Sequence, residues 1–190
     1  MNRLKRSVIV IGILVLVTLG VLFWGIGEYN KVIGMDEGVK AQWAQVENQL
    51  KRRYDLIPNL IETVKGYAKH EKELFENIAE MRTKYFSAGN VKDKVEAANQ
   101  LEGALSKLLF LKETYPTLKA NESFLKLQDS LEGTENRITV ERKRYNDDVR
   151  VLNTYRRTVT GSIISSVAKI GEATYYKVPE AQQENPQVKF

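Results

Sequence analysis

A histidine-based hydrolase or a histidine-rich metal site would have to be built around one imidazole, because His70 is the only histidine of this chain, and it has no cysteine. His70-Glu71 opens like the HExxH zinc motif, in which two imidazoles one helical turn apart hold the metal and the glutamate serves as base. The fifth position is Leu74, so the second ligand is missing and the motif fails. A Ser–His–Asp hydrolase would need the same lone histidine. The lack of cysteine excludes disulfides, thiolate metal sites and a cysteine nucleophile. Asp147 and Asp148 are adjacent and point in different directions around a helix, which makes them a poor acid/base pair. No glycine-rich phosphate loop is present, since Gly25-Ile26-Gly27 ends an apolar run and Gly103 sits in a helical pattern. No catalytic set, metal site or cofactor is therefore expected.

The polar residues with something to say lie in two blocks. Lys51-Arg52-Arg53 stands beside Asp55 and just before Asn59, and Thr134-Glu135-Asn136-Arg137 lies in the last long helical pattern. Thr134 falls on an apolar stripe and Glu135 flanks it. Polar groups in such a place must be hydrogen-bonded, or each costs a few kcal/mol. A network joining Arg53 or Asp55 to Glu135, Asn136 or Arg137 would satisfy them and fix the register of the helices. Gln128, Tyr145 and Asn146 lie on or beside the same stripe and extend this seam. The alternative is that Arg52, Arg53, Glu135 and Arg137 bind a small anion or peptide, since arginines suit carboxylate and phosphate recognition. Exposed charge pairs alone would contribute only about 0.2–1 kcal/mol each.

The elements that must position these residues are helices. Val39, Trp43, Val46, Leu50, Ile57, Ile61, Val64, Ala68, Phe75, Ile78 and Tyr85 recur in steps of three and four, with Arg53 or Tyr54 and Glu71 or Arg82 in the gaps. That is an apolar helical stripe. Pro58 lies inside it. A kink or a break is expected near residues 54–57, and because the stripe keeps its phase across the proline, a kink is slightly favoured over a full reversal. Ser87-Ala88-Gly89-Asn90 is a turn, with Asn90 placed to cap the next helix. That helix puts Val95, Ala98, Leu101, Leu105, Leu108 and Leu109 on one face and stops before Pro116. The last helix starts near Asn121 and runs through Phe124, Leu127, Leu131, Thr134, Ile138, Glu141, Tyr145, Val149, Leu152, Tyr155 and Val159. No stretch alternates with period two as a sheet requires. The expected fold is all-α, an antiparallel bundle of about four long helices over residues 28–170. Ser162–Ile170 is a short apolar piece expected to pack on that bundle, and residues 171–190 read as an extended tail.

Before the bundle, Val8–Ile26 is an uncharged, apolar run of about 28 Å as a helix, close to the ~30 Å hydrocarbon core of a bilayer. Arg3, Lys5 and Arg6 precede it, no acidic residue occurs before Glu28, and Trp24 and Tyr29 sit where an aromatic belt would be. Residues 1–7 then form a basic cytoplasmic tail and 8–27 a single transmembrane helix, with the bulk of the chain outside the cytoplasm. The run exceeds the usual apolar stretch of a cleaved signal peptide, and no Ala-x-Ala site follows it. It carries no GxxxG pair and no ionisable group, so it suggests neither a strong dimer seam nor a transport path. The net charge is +5, but three of those charges belong to the tail, which leaves +2 well mixed over the remainder. No basic stripe for nucleic acid survives.

Three blocks, KRRYDLIPNLIETVKGYAKHE at 51–71, YPTLKANESFLKLQ at 115–128 and TENRITVERKRYND at 134–147, together with NPQVKF at 185–190, resemble the LemA family of bacterial membrane-anchored helical proteins. The resemblance covers residues 28–150 and resumes at the end of the chain. It departs between 154 and 178: relatives usually carry a second Tyr-Asn pair, a Phe-Pro and a Phe-Gly-Phe-like stretch, where this chain has Arg156-Arg157 and Thr160-Gly161-Ser162. The resemblance implies one N-terminal span and a helical bundle, no known catalytic residues, and an association with envelope stress and membrane metalloproteases. The expected function is a non-enzymatic, membrane-tethered scaffold or adaptor for other envelope proteins, with self-association open to it. The competing expectation is an extracytoplasmic ligand sensor. A double substitution of Arg53 and Arg137 to leucine separates the two: a register network loses stability, whereas a ligand site keeps stability and loses binding.

Overall fold

Pro58 starts a helix instead of bending one. In the computed structural model, which describes residues 3–178 and the side chains from residue 7 onward, α1 runs Arg3–Tyr54 and α2 begins at Ile57. Of the kink or break expected near residues 54–57, the helix shows an interruption at residues 55 and 56. Proline in the first turn of a helix forfeits no internal hydrogen bond, whereas inside a helix it removes one and clashes with the carbonyl four residues back. The rupture is repaired locally. Arg82 Nε donates to the Tyr54 carbonyl at 3.1 Å, and Leu60 N–H reaches back to Leu56 O at 3.1 Å. Lys51, Arg52 and Arg53 fill the last turn of α1, where cations favour the helix dipole.

The other elements follow in order: α2 to Lys65, α3 Lys72–Ser87, α4 Val91–Thr114, the short α5 Pro116–Lys119, α6 Glu122–Arg156 and α7 Val159–Val167. Among the described residues there is no strand. Their starts carry the expected chemistry. Asn90 Oδ1 accepts from Asp93 N–H at 2.9 Å, Asn121 Oδ1 from Phe124 N–H at 2.8 Å, and Thr158 Oγ1 from Gly161 N–H at 3.0 Å. Residues 171–178 of the tail are neither helix nor strand. The remainder of that tail, 179–190 with NPQVKF, lies outside the described residues, as do the side chains of Arg3, Lys5 and Arg6.

Contacts divide the chain into two compact units, Met1–Ala41 with Asp147–Ala173, and Gln42–Asn146 with Thr174–Phe190. The second unit holds a helical core in which Val46, Leu50, Leu60, Val64, Ile78, Leu101, Leu105, Leu108, Phe124, Leu131 and Ile138 are buried. Helix α3 packs along α4, and α5 folds back on α4. The first unit buries Val32, Val39, Val149 and Leu152, and its N-terminal portion is, among the described residues, the one helix long and apolar enough to cross a membrane. From Val8 to Ile26 that helix leaves its large apolar side chains exposed.

One expectation fails in the first unit and a second holds only in part. Val159 continues the stripe of the last helix in phase, yet it is 83 % exposed, because α6 ends at Arg156 and Val159 opens a new helix. The piece 162–170, expected to pack on the bundle, buries Ser165 and half-buries Ile164, Ala168 and Ile170, but turns Ile163 and Val167 outward. The turn that does this needs Gly161: a Cβ there would lie 1.9 Å from the Tyr155 carbonyl oxygen. Gly161→Ala is expected to destabilise this unit by roughly 3 kcal/mol, the upper end of overpacking costs, and to raise amide hydrogen exchange over 157–167. Unchanged exchange would show that the turn yields freely.

Candidate functional site

The residue three positions after Leu50 on α1 must enter the core of the second unit, and it is an arginine. Arg53 is 6 % exposed. A charge so placed survives only if several acceptors meet it. Its Nη1 donates to the Leu131 carbonyl at 2.7 Å and lies 3.3 Å from Glu135 Oε2, while Nη2 donates to Glu102 Oε2 at 2.7 Å. Leu131 and Glu135 are on α6 and Glu102 is on α4, so one guanidinium ties three helices. Glu102 feels the burial: desolvation raises its carboxyl above the ordinary range, and Arg53 opposes that shift. Glu102 Oε1 and Arg53 Nε are buried without partners.

Glu135 is 39 % exposed on its side chain and also meets Arg142 Nη2 at 3.5 Å. Arg142 in turn donates to Thr139 Oγ1 at 3.1 Å, and its guanidinium lies 5.4 Å from the centre of the Tyr176 ring. The cluster thus passes from Arg53 to the extended segment after α7. Asn146 clasps that segment: its Nδ2 donates to Tyr176 O at 3.0 Å and its Oδ1 accepts from Tyr176 N–H at 2.8 Å. Tyr145 OH donates to Thr174 O at 2.6 Å. In the first unit Asn153 treats Ala173 in the same reciprocal way, at 2.8 and 3.0 Å. An asparagine side chain used like a strand edge explains how an extended segment is held on a helix. Asn146→Ala is expected to cost about 1–3 kcal/mol and to raise hydrogen exchange at 174–178.

The other residues singled out from the sequence are placed differently. Arg53 and Glu135 meet, and Tyr145 and Asn146 both bind the extended segment. Gln128 is a separate bridge, accepting from Lys112 Nζ at 3.3 Å and donating to Glu132 at 2.9 Å. Asp55 is exposed and pairs with Arg82 at 3.4 Å, apart from the Arg53 cluster. Arg52, Asn59, Asn136 and Arg137 have exposed side chains outside it, a correction to the expected seam. The reason is helical phase: 136 and 137 follow a position that is itself only half-buried, so they rotate to solvent.

Three further residues complete the seam: Glu102, Arg142 and Tyr176. Glu102 was legible, since it lies four after Ala98 and three before Leu105, on the apolar stripe of α4. Arg82, outside the cluster, fills a gap of the first stripe and meets Asp55, a pairing that no local spacing signals. Arg142 and Tyr176 had no local signal. Beside the cluster, Tyr54 and Tyr85 stack edge to face at 4.9 Å with both hydroxyls buried and unpartnered. Burial raises the Tyr54, Tyr85 and Tyr176 phenols and pushes Tyr145 up to about 12. The unfolded chain ionises first, so these phenols contribute stability that is full below pH ~10 and lost above it. An alkaline unfolding transition beginning near pH ~10 is expected by far-ultraviolet circular dichroism. Phenylalanine at position 85 should move it upward.

Among the described residues no group of three or more His, Cys, Asp or Glu side chains is arranged to hold a metal ion. A separate open groove of about 700 Å³ runs between α2 and α3, floored by Ile57, Pro58, Ile61, Phe75 and Ala79 and rimmed by Lys65, Lys69, Lys72 and Arg82 with Glu62 and Glu76. His70 and Glu71 line a different groove, between α3 and α4, with Leu74 and Asn77.

Comparison with known proteins matches residues 42–190 to the LemA family. Magnetosome protein MamQ 2 of Paramagnetospirillum magneticum is 26 % identical over 184 residues, covering 83 % of this chain and 65 % of the relative. MamQ of Magnetospirillum gryphiswaldense is 23 % identical over 151 residues, covering 66 % and 56 %. Protein LemA of Metamycoplasma hominis is 23 % identical over 133 residues, covering 69 % and 61 %. The chain spans less than two thirds of the length of each of these relatives.

Proposed function

The chain belongs to the LemA family, and from that premise we propose that it is a non-enzymatic membrane tether whose helical body acts as a scaffold or adaptor for other envelope proteins. The observation that carries this is α1: one uninterrupted helix holds the exposed, bilayer-length apolar run and continues to Tyr54. The basic flank of the run supports a single-pass arrangement in a bacterial cell membrane, N-terminus in the cytoplasm and residues 28–190 outside it. The Arg53 cluster supports a structural use of the polar seam, because every guanidinium nitrogen but Nε is engaged by α4 and α6. A sensor site for a small anion would need Arg53 free and Arg52 and Arg137 convergent with it, and the exposed side chains of Arg52 and Arg137 speak against that.

The partners proposed are membrane proteins of the envelope, a metalloprotease among them, and a second copy of the chain. Crosslinking in intact cells followed by mass spectrometry tests this. A reproducible envelope-protein adduct that disappears when the apolar run is exchanged for a cleavable signal sequence is the expected result. Adducts restricted to cytoplasmic proteins would overturn it. The orientation has its own test, made simple by the absence of cysteine: Ser130→Cys should react with a membrane-impermeant maleimide in spheroplasts. Reaction only after lysis would reverse the topology.

A further inference from the structure

Helix α7 is built inside out. It buries Gly161 and Ser165, the latter 2 % exposed, and presents Val159, Ile163 and Val167 to the outside at 83, 60 and 67 % exposure. These three are four residues apart and lie on one face. A surface helix in water shows the reverse pattern, apolar residues inward and polar ones outward. Ser162 and Ser166 are exposed beside them, so the outward side of α7 is suited to the boundary of an apolar medium.

The position of α7 within its unit says what that medium is. Two residues before the Thr158 cap, α6 ends, and one residue earlier Tyr155 OH donates to Glu28 Oε2 at 2.7 Å, with Lys31 Nζ 4.9 Å from the centre of its ring. Glu28 is the first charged residue after the uncharged run, so this contact marks the level at which α1 leaves the apolar segment. The close approach of Gly161 to the Tyr155 carbonyl holds the start of α7 at that same level. From residue 149 to 171 the chain carries Arg150, Arg156, Arg157 and Lys169 and no acidic residue, a charge suited to anionic phospholipid headgroups.

We propose that α7 is an interfacial helix that lies in the surface of the bilayer beside the span, with Val159, Ile163 and Val167 inserted among the acyl chains. A helix of this kind seats its apolar face about 5–10 Å into the headgroup boundary. The chain then has two membrane contacts, one spanning and one lying flat, and the turn at Gly161 joins the second to the end of α6. This rests on Val8–Ile26 being a membrane span, and the test separates the two.

Single-cysteine variants Phe23→Cys, Ile163→Cys and Ser130→Cys of the full chain, each carrying a bimane label, are reconstituted in vesicles of phosphatidylcholine and phosphatidylglycerol. Labels at 23 and 163 should lose most of their fluorescence to a lipid-borne nitroxide and resist iodide, and the label at 130 should do the opposite. A label at 163 that follows 130 while 23 is lipid-quenched overturns the role of α7 and leaves the span intact. A label at 23 that escapes the lipid quencher overturns both. Efficient disulfide formation between two Ile163→Cys chains without lipid quenching would assign the face to a second copy and also overturn the proposal. All three substituted side chains are exposed, so loss of folding is not expected to intervene.

Discussion

Arg53→Met is expected to lower the stability of the bundle by about 3–5 kcal/mol, the cost of removing one partner from a buried ion cluster. Methionine fills a similar volume, so the loss does not come from a cavity. It comes from Glu102, whose Oε2 loses its donor while Oε1 already has none. The Leu131 carbonyl loses its side-chain donor in the same step. For a domain of this size the melting temperature should fall by on the order of 10 °C. The double variant Arg53→Met, Glu102→Leu should recover most of that, because an apolar pair of matching volume often equals or exceeds a buried salt bridge. Glu135→Gln alone should cost no more than ~1 kcal/mol, since that carboxylate is well exposed. Thermal unfolding of the full chain in detergent, followed at the helical band, measures all three. A single variant as stable as the parent, with the double no better, would mean that Arg53 serves something other than register.

The ranking of those variants shows what could be read from the chain and what could not. The stripe from Val39 to Tyr85 is buried at each apolar position named, because a helical period persists even where the helix does not. That persistence is also what concealed the break at Pro58: two successive helices can present the same face to one core, and phase alone cannot tell them from a single bent one. Arg53 and Glu135 stood out as polar residues at buried or flanking positions. Glu102 obeyed the same rule on α4 but went unnoticed beside its leucines. Tyr176 is different in kind. It lies in an extended segment without period, and only the reciprocal hydrogen bonds to Asn146 and the ring contacts place it. Val159 continued the α6 stripe in phase, and nothing local announced that the helix would end at Arg156 and reverse its faces. The glycine at 161 was visible, but its necessity depends on a carbonyl six residues away.

Trp43→Ala is the second large effect expected, again about 3–5 kcal/mol, this time from a cavity. Trp43 is nearly buried, its ring centroid 5.2 Å from that of Tyr145 and 6.3 Å from that of Tyr176, at tilts of 57° and 41°. Aromatic pairs of this kind add ~0.5–1.5 kcal/mol beyond the area they bury. The consequence should spread along one path. Tyr145 holds Thr174 through its hydroxyl, Asn146 holds the Tyr176 backbone, and Asn99 Nδ2 donates to Lys177 O at 2.8 Å. With Trp43 gone, the Tyr176 ring loses its neighbour on α1, and the segment 174–178 keeps only its polar ties. Hydrogen exchange there should rise more than in the α3–α4 pair. A cycle with Tyr176→Ala should show coupling of about 0.5–3 kcal/mol, because both truncations empty one site. Strict additivity would mean that the extended segment is held without help from Trp43, by Tyr145, Asn146, Asn99 and Arg142, and that Trp43 stabilises only the α1–α6 packing.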